Sequence, residues 1–91
     1  MSAKFLHIGF SWQGTPKMKE LEPTFNNALD WVRYGRDCWI IYTTTDANTW
    51  SARIKPLIGP NDSFLISELT NLNTSTGWMP KWVWDWTRKA R

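Results

Sequence analysis

Few residues of this chain have side chains suited to chemistry: one histidine, His7, one cysteine, Cys38, and a serine, Ser11, in the same short segment as His7. On an extended strand, side chains four residues apart lie about 13 Å from one another, so Ser11 and His7 cannot pass a proton between them. His7 is therefore read as a packed or interfacial side chain. Cys38 opens an apolar run, where a buried structural thiol is expected rather than a nucleophile. A single cysteine and a single histidine leave no metal-ligand spacing, and the five glycines are scattered rather than gathered into a phosphate-cradling loop. No catalytic residue, metal or cofactor is expected.

The charges allow another kind of chemistry. Eleven Lys and Arg stand against eight Asp and Glu, a formal net charge of +3, which tolerates a nucleic-acid partner without requiring one. Arg33 and Arg36 flank a turn signal, Lys17 and Lys19 precede a helix, and Arg88, Lys89 and Arg91 lie at the end of the sequence. Brought together beside Trp12 or Trp84, such cations would track a phosphate backbone while the rings stack on bases. Spread apart, they are an ordinary solvated surface, and that plainer reading is preferred. Eight tryptophans in 91 residues are the compositional oddity. Tryptophan is costly to leave in water, so most should be core or interface anchors. Trp39, Ile41, Trp78 and Trp84 are the candidates for a partner or dimer surface.

The elements that must position these residues follow from period and punctuation. Residues 38–42, Cys-Trp-Ile-Ile-Tyr, are large and apolar on alternate sides, as in a strand buried on both faces. Residues 4–11 form a first strand, with Leu6, Ile8 and Phe10 on one face and His7, Gly9 and Ser11 on the other. A helix is expected over 21–29, with Leu21, Phe25, Ala28 and Leu29 on one face and Pro23 in its first turn; an earlier start near Lys17 would put a kink at Pro23. Residues 30–34 read as a strand joined to 38–44 by the Gly35-Arg36-Asp37 turn, although a helix running on to Gly35 is the alternative. Asp46 is a helix N-cap, Trp50, Ile54, Leu57 and Ile58 make one stripe, and Gly59-Pro60 ends it. Residues 63–69 are the last strand. Over 77–91 a helix with Pro80 in its first turn puts Met79, Trp82, Val83 and Trp86 on one stripe, with Lys81–Asp85 and Asp85–Lys89 at ion-pair spacing.

This order is β-α-β-β-α-β plus a C-terminal helix, the ferredoxin-like α+β plan, in a single domain 1–91 with an extension at 77–91. Two helices would cover one sheet face. The other face is also apolar, so it needs a cover: the C-terminal segment, a second copy, or both.

Four segments carry a family resemblance: Trp39-Ile40-Ile41, Lys55-Pro56-Leu57, Asn61-Asp62-Ser63-Phe64-Leu65, and above all Gly77-Trp78-Met79-Pro80-Lys81 with Trp84-Asp85-Trp86. Together they resemble the small SinR-type proteins related to the CRISPR-associated adaptor endonuclease. The resemblance implies a ferredoxin-like fold and a homodimer. In the CRISPR branch the first strand ends in Tyr-Asp, and the paired Asp residues of the dimer are thought to hold a metal. The matching positions here are Phe10 and Ser11, and a serine hydroxyl is a poor ligand for Mg²⁺. The expectation is a non-enzymatic homodimeric binding module acting on another protein, with phage defence or counter-defence as the setting. A nucleic-acid-binding protein is the first alternative and a metal-dependent nuclease the second. The lone cysteine, and the lack of a signal peptide or long apolar segment, point to the cytoplasm and away from a membrane.

Overall fold

The computed structural model describes residues 2–91. Its elements run β1 (Lys4–Ser11), α1 (Met18–Phe25), β2 (Asp30–Gly35), β3 (Cys38–Thr43), α2 (Ala47–Ile54), β4 (Ser63–Leu69) and α3 (Lys81–Thr87), with short 3-10 turns at Lys55–Leu57 and Leu72–Thr74. The strands form one antiparallel sheet in the order β2-β3-β1-β4, so β3 and β1 are central. This small α+β architecture is consistent with the ferredoxin-like class.

Strand register divides the side chains between two layers. Leu6, Ile8 and Phe10 stand opposite Ile41, Trp39 and the β4 residues Ile66 and Phe64 on one face. There they pack with Leu21 and Phe25 of α1 and Trp50 and Ile54 of α2 as the main core. β3 is apolar on both sides because each of its faces packs under a separate layer. Trp39 and Ile41 are fully buried against the helices, and Ile40 is buried on the other side.

The helices are set by local chemistry. The Asp46 carboxylate caps α2, accepting from the Thr49 backbone N–H at 2.7 Å. Pro56 then turns the end of that helix into a 3-10 segment. In α1 the outcome differs from the sequence-based expectation. The helix takes the earlier start, at Met18, and contains Pro23 in its interior, ending at Phe25 rather than at 29. A helix this short loses only one backbone hydrogen bond to the proline, and the burial of Leu21 and Phe25 outweighs that loss. Leu29, expected on the buried face, lies beyond the helix end and is 62% exposed. The hairpin reading of residues 30–44 is the observed one, with a register irregularity between Arg33 and Gly35.

The second sheet face is covered by the chain's own C-terminal segment. Val32, Ile40 and Leu72 form a smaller core there, with Phe5, Tyr34, Leu69 and Trp86 packed against it. Val83 and Thr87 of α3 are buried as well. Arg91 locks this cover in place. Its guanidinium lies 4.3 Å from the Trp86 ring centroid and 5.3 Å from those of Phe5 and Tyr42. It donates to the carbonyls of Trp86 and Lys89 at 2.9 and 3.1 Å and to the Asp30 carboxylate at 3.1 Å. Its side chain is 10% exposed, so the contact is shielded from solvent as few surface ion pairs are. Among the described residues no helix is long and apolar enough to cross a membrane.

Two buried tryptophans of the main core differ in one respect. The Trp50 indole N–H donates to Thr43 Oγ1 at 3.1 Å, whereas the Trp39 N–H has no hydrogen-bond partner. Replacement by phenylalanine removes similar volume at both sites, but at Trp50 it also removes a satisfied buried hydrogen bond. At Trp39 it removes a buried donor that has already lost its water. Trp50→Phe should therefore cost at least about 1 kcal/mol more than Trp39→Phe in urea unfolding. Equal costs would show that the two N–H groups are equivalent.

Candidate functional site: the layer over the second sheet face

The residues with chemical potential gather on the second sheet face, because β1, β2 and β3 alternate them away from the main core. His7 of β1 and Tyr34 of β2 reach across the intervening β3. The His7 imidazole Nε2 and the Tyr34 hydroxyl share a hydrogen bond, with the rings 5.6 Å apart. Burial holds the His7 pKa below its ordinary value. Burial also pushes the Tyr34 hydroxyl up, to about 12, and the neighbouring Cys38 side chain adds to the rise. Cys38 is half-buried at the start of β3, beside this pair. Sequence spacing alone could not join the three, since His7 and Tyr34 are 27 residues apart.

Above His7 and Tyr34 lies a cavity of about 190 Å³, closed on the far side by Met79, Val83 and Trp84. Trp84 is therefore turned toward its own sheet. It is half-buried, with the Arg88 guanidinium 4.7 Å over its ring. The predicted helix stripe is rotated in the structure. Val83, Trp86 and Thr87 face the sheet, and Trp82 is 55% exposed. Pro80 precedes α3 instead of lying inside it, and a helix of only seven residues offers the sheet a single narrow face. Lys81 pairs with Asp85 at 2.8 Å, but Lys89 reaches Asp30 at 3.6 Å instead of Asp85.

The sequence-derived partner surface thus separates. Trp39 and Ile41 are fully buried under α1 and α2 and offer nothing to a partner. Their strand is central, and the helix layer already covers that side. Trp84 meets its own sheet. Trp78 alone of the four is bare, with its whole side chain in solvent. Trp82, which sequence reasoning assigned to the interior, is the other exposed tryptophan.

The expected nucleic-acid contacts are also scattered. Trp12 stacks on Phe10 at 4.9 Å, and its indole N–H donates to Asp37 at 2.9 Å. Arg33 donates to the Arg36 carbonyl and lies 5.2 Å from the centroid of the Trp39 ring. Arg36 is exposed beside it at the hairpin end. Lys89 and Arg91 hold Asp30 at the start of β2, about 10 Å along the strand from Arg33, which pairs with Trp39 on the opposite sheet face. The two basic groups do not converge. Of the two positions considered for a metal, Ser11 is exposed at the end of β1 and Phe10 is packed into the core. Among the described residues no three His, Cys, Asp or Glu side chains stand close enough together to hold a metal ion.

Comparison of the chain with protein-family models, curated proteins and solved structures gives no match.

The His7 shift has a definite pH consequence. A histidine held below its unfolded value of 6.5 takes up its proton more readily in the unfolded chain, so stability is full above about pH 6.5 and falls as pH drops through the folded pKa. Asp30 is likewise held low. Burial opposes this shift, but Trp86, the Trp31 backbone N–H, Arg91 and Lys89 together outweigh it, and the effect appears only near and below pH 3.8. The Trp86 indole N–H faces that carboxylate without completing a well-formed hydrogen bond. The melting temperature should decline between pH 7 and pH 5, and His7→Phe should flatten that decline. An unchanged slope in the variant would assign the effect to other groups.

Proposed function

We propose that this chain is a non-enzymatic binding module of ferredoxin-like β-α-β-β-α-β topology, with its C-terminal helix as the cover of the second sheet face. It acts by engaging another protein through Trp78 and Trp82. The observation that carries this reading is the division of the eight tryptophans: six are buried or half-buried in the chain's own layers, and these two are not. A fully exposed tryptophan is costly in water, and tryptophan is enriched at the centres of protein interfaces. The resemblance to SinR-type proteins supports the same reading and suggests phage defence or counter-defence as its setting.

A homodimer remains part of this proposal, on narrower ground than the sequence offered. The second sheet face has its own cover, so a second copy is not needed to shield it. What supports pairing is Leu65, 70% exposed on β4 opposite Gly9, at the end of the sheet that also carries Ser11 and Ser63. The nucleic-acid reading loses support from the separation of the two basic groups, and the nuclease reading from Ser11.

Two experiments test the proposal. A pull-down with the double variant Trp78→Ala/Trp82→Ala should lose at least about tenfold of the partner captured by the unaltered chain, while its melting temperature stays the same. Retention of that partner would reject the surface. Light scattering at micromolar concentration should give a dimer that Leu65→Lys converts to monomer. A monomer in the unaltered chain would remove the homodimer from the proposal.

A further inference from the structure

One cleft has neither Trp78 nor Trp82 in its lining. It has a volume of about 660 Å³ and runs between the start of β1, the segment after β4 and the residues that follow α3. Four cationic side chains line it, Lys4, Arg88, Lys89 and Arg91, against one acidic side chain, Glu68. Two of the four are held by Asp30: Arg91 at 3.1 Å and Lys89 at 3.6 Å. Among the described residues, Lys4 and Arg88 form no ion pair within 4 Å, although the Asp46 carboxylate, whose pKa the Thr49 backbone N–H holds low, also feels the Lys4 charge, which helps lower it. Arg88 rests against the Trp84 ring, which orients its guanidinium without neutralising it. Phe5 and Tyr42 give one wall of the cleft an apolar surface.

We propose that this cleft binds a small phosphate-bearing ligand of nucleotide size. Two unpaired cations flanking a concave site match a dianion, and arginine and lysine together suit phosphate oxygens. Arg91, fixed by Asp30 and three aromatic rings, adds a positive charge that needs no reordering when the ligand arrives. The volume falls in the range of small-molecule sites, about 300–1,000 Å³. An extended nucleic-acid strand fits less well, because the other basic pair is turned away from the cleft, Arg33 lying over Trp39 on the opposite sheet face and Arg36 at the hairpin end. The site is separate from the aromatic surface assigned above, so either assignment can fail alone.

Isothermal titration calorimetry at low salt, with ATP, inorganic pyrophosphate, adenosine and a single-stranded oligonucleotide of about ten residues as probes, tests this. ATP or pyrophosphate should bind and adenosine should not. The double variant Lys4→Gln/Arg88→Gln should weaken that binding at least about tenfold, with its circular dichroism and melting temperature unchanged. Arg33→Gln/Arg36→Gln should leave it as it was. Absence of heat with both phosphate probes would overturn the proposal, as would equal weakening in the two double variants. Binding of the oligonucleotide alone would replace it with a strand-binding surface.

Discussion

An antiparallel sheet whose central strand is apolar on both sides needs two covers, and the architecture of this protein follows from that requirement. The first cover is ordinary, since α1 and α2 close over Leu6, Ile8, Trp39 and Ile41. The second is made from a short, Trp-rich helix that could not stand alone in water at seven residues. Its stability comes from the sheet beneath it. Burying side chains such as Val83 contributes about 1.5–3 kcal/mol each, and Arg91 ties the following residues to Asp30, Phe5 and Tyr42. Cover and sheet hold each other in place.

The same constraint sorts the polar chemistry. With the main core made from Leu, Ile, Phe and Trp, the histidine, the cysteine and a tyrosine all fall on the side that α3 shields. There His7 and Tyr34 satisfy each other across the sheet, and burial depresses the basicity of one and the acidity of the other. A neutral imidazole and a neutral phenol suit a half-buried layer, because neither brings a charge that would need a counter-ion. The ionised groups stay at its rim. Asp30, Lys89 and Arg91 close one end of the cover, and Lys4 and Arg88 face the cleft beyond it.

Function, on this view, belongs to what the two covers leave outside. Trp78 and Trp82 lie outside both layers, and Lys4 and Arg88 face the cleft without a close ion pair. On the two proposals above, an aromatic surface and a basic cleft with different lining residues would bind a protein partner and a small anion independently. The aromatic surface rests on residues outside the two layers, whereas Arg91 in the cleft also holds the second cover.

Much of the architecture was legible in the residues alone. The four strands, the Asp46 cap and the hairpin at residues 30–44 follow from alternation, capping chemistry and turn residues, which act over a few positions. The two-sided strand at residues 38–42 even implied a second cover. The errors came where distant packing decides. The start of the first helix was open between Lys17 and Leu21, and its expected end at Leu29 gives way to a helix from Met18 to Phe25 held by burial of Leu21 and Phe25. The stripe through Trp82 was a valid helical face, but the sheet accepts only the face of Val83, Trp86 and Thr87. Trp39 and Trp78 have the same side chain, and only the layer that covers one and misses the other separates core from surface. Local sequence set which elements form and which faces are apolar. The meeting of His7 with Tyr34, of Arg91 with Asp30, and of four cations around one cleft was decided by tertiary structure, because each joins segments that no local period connects.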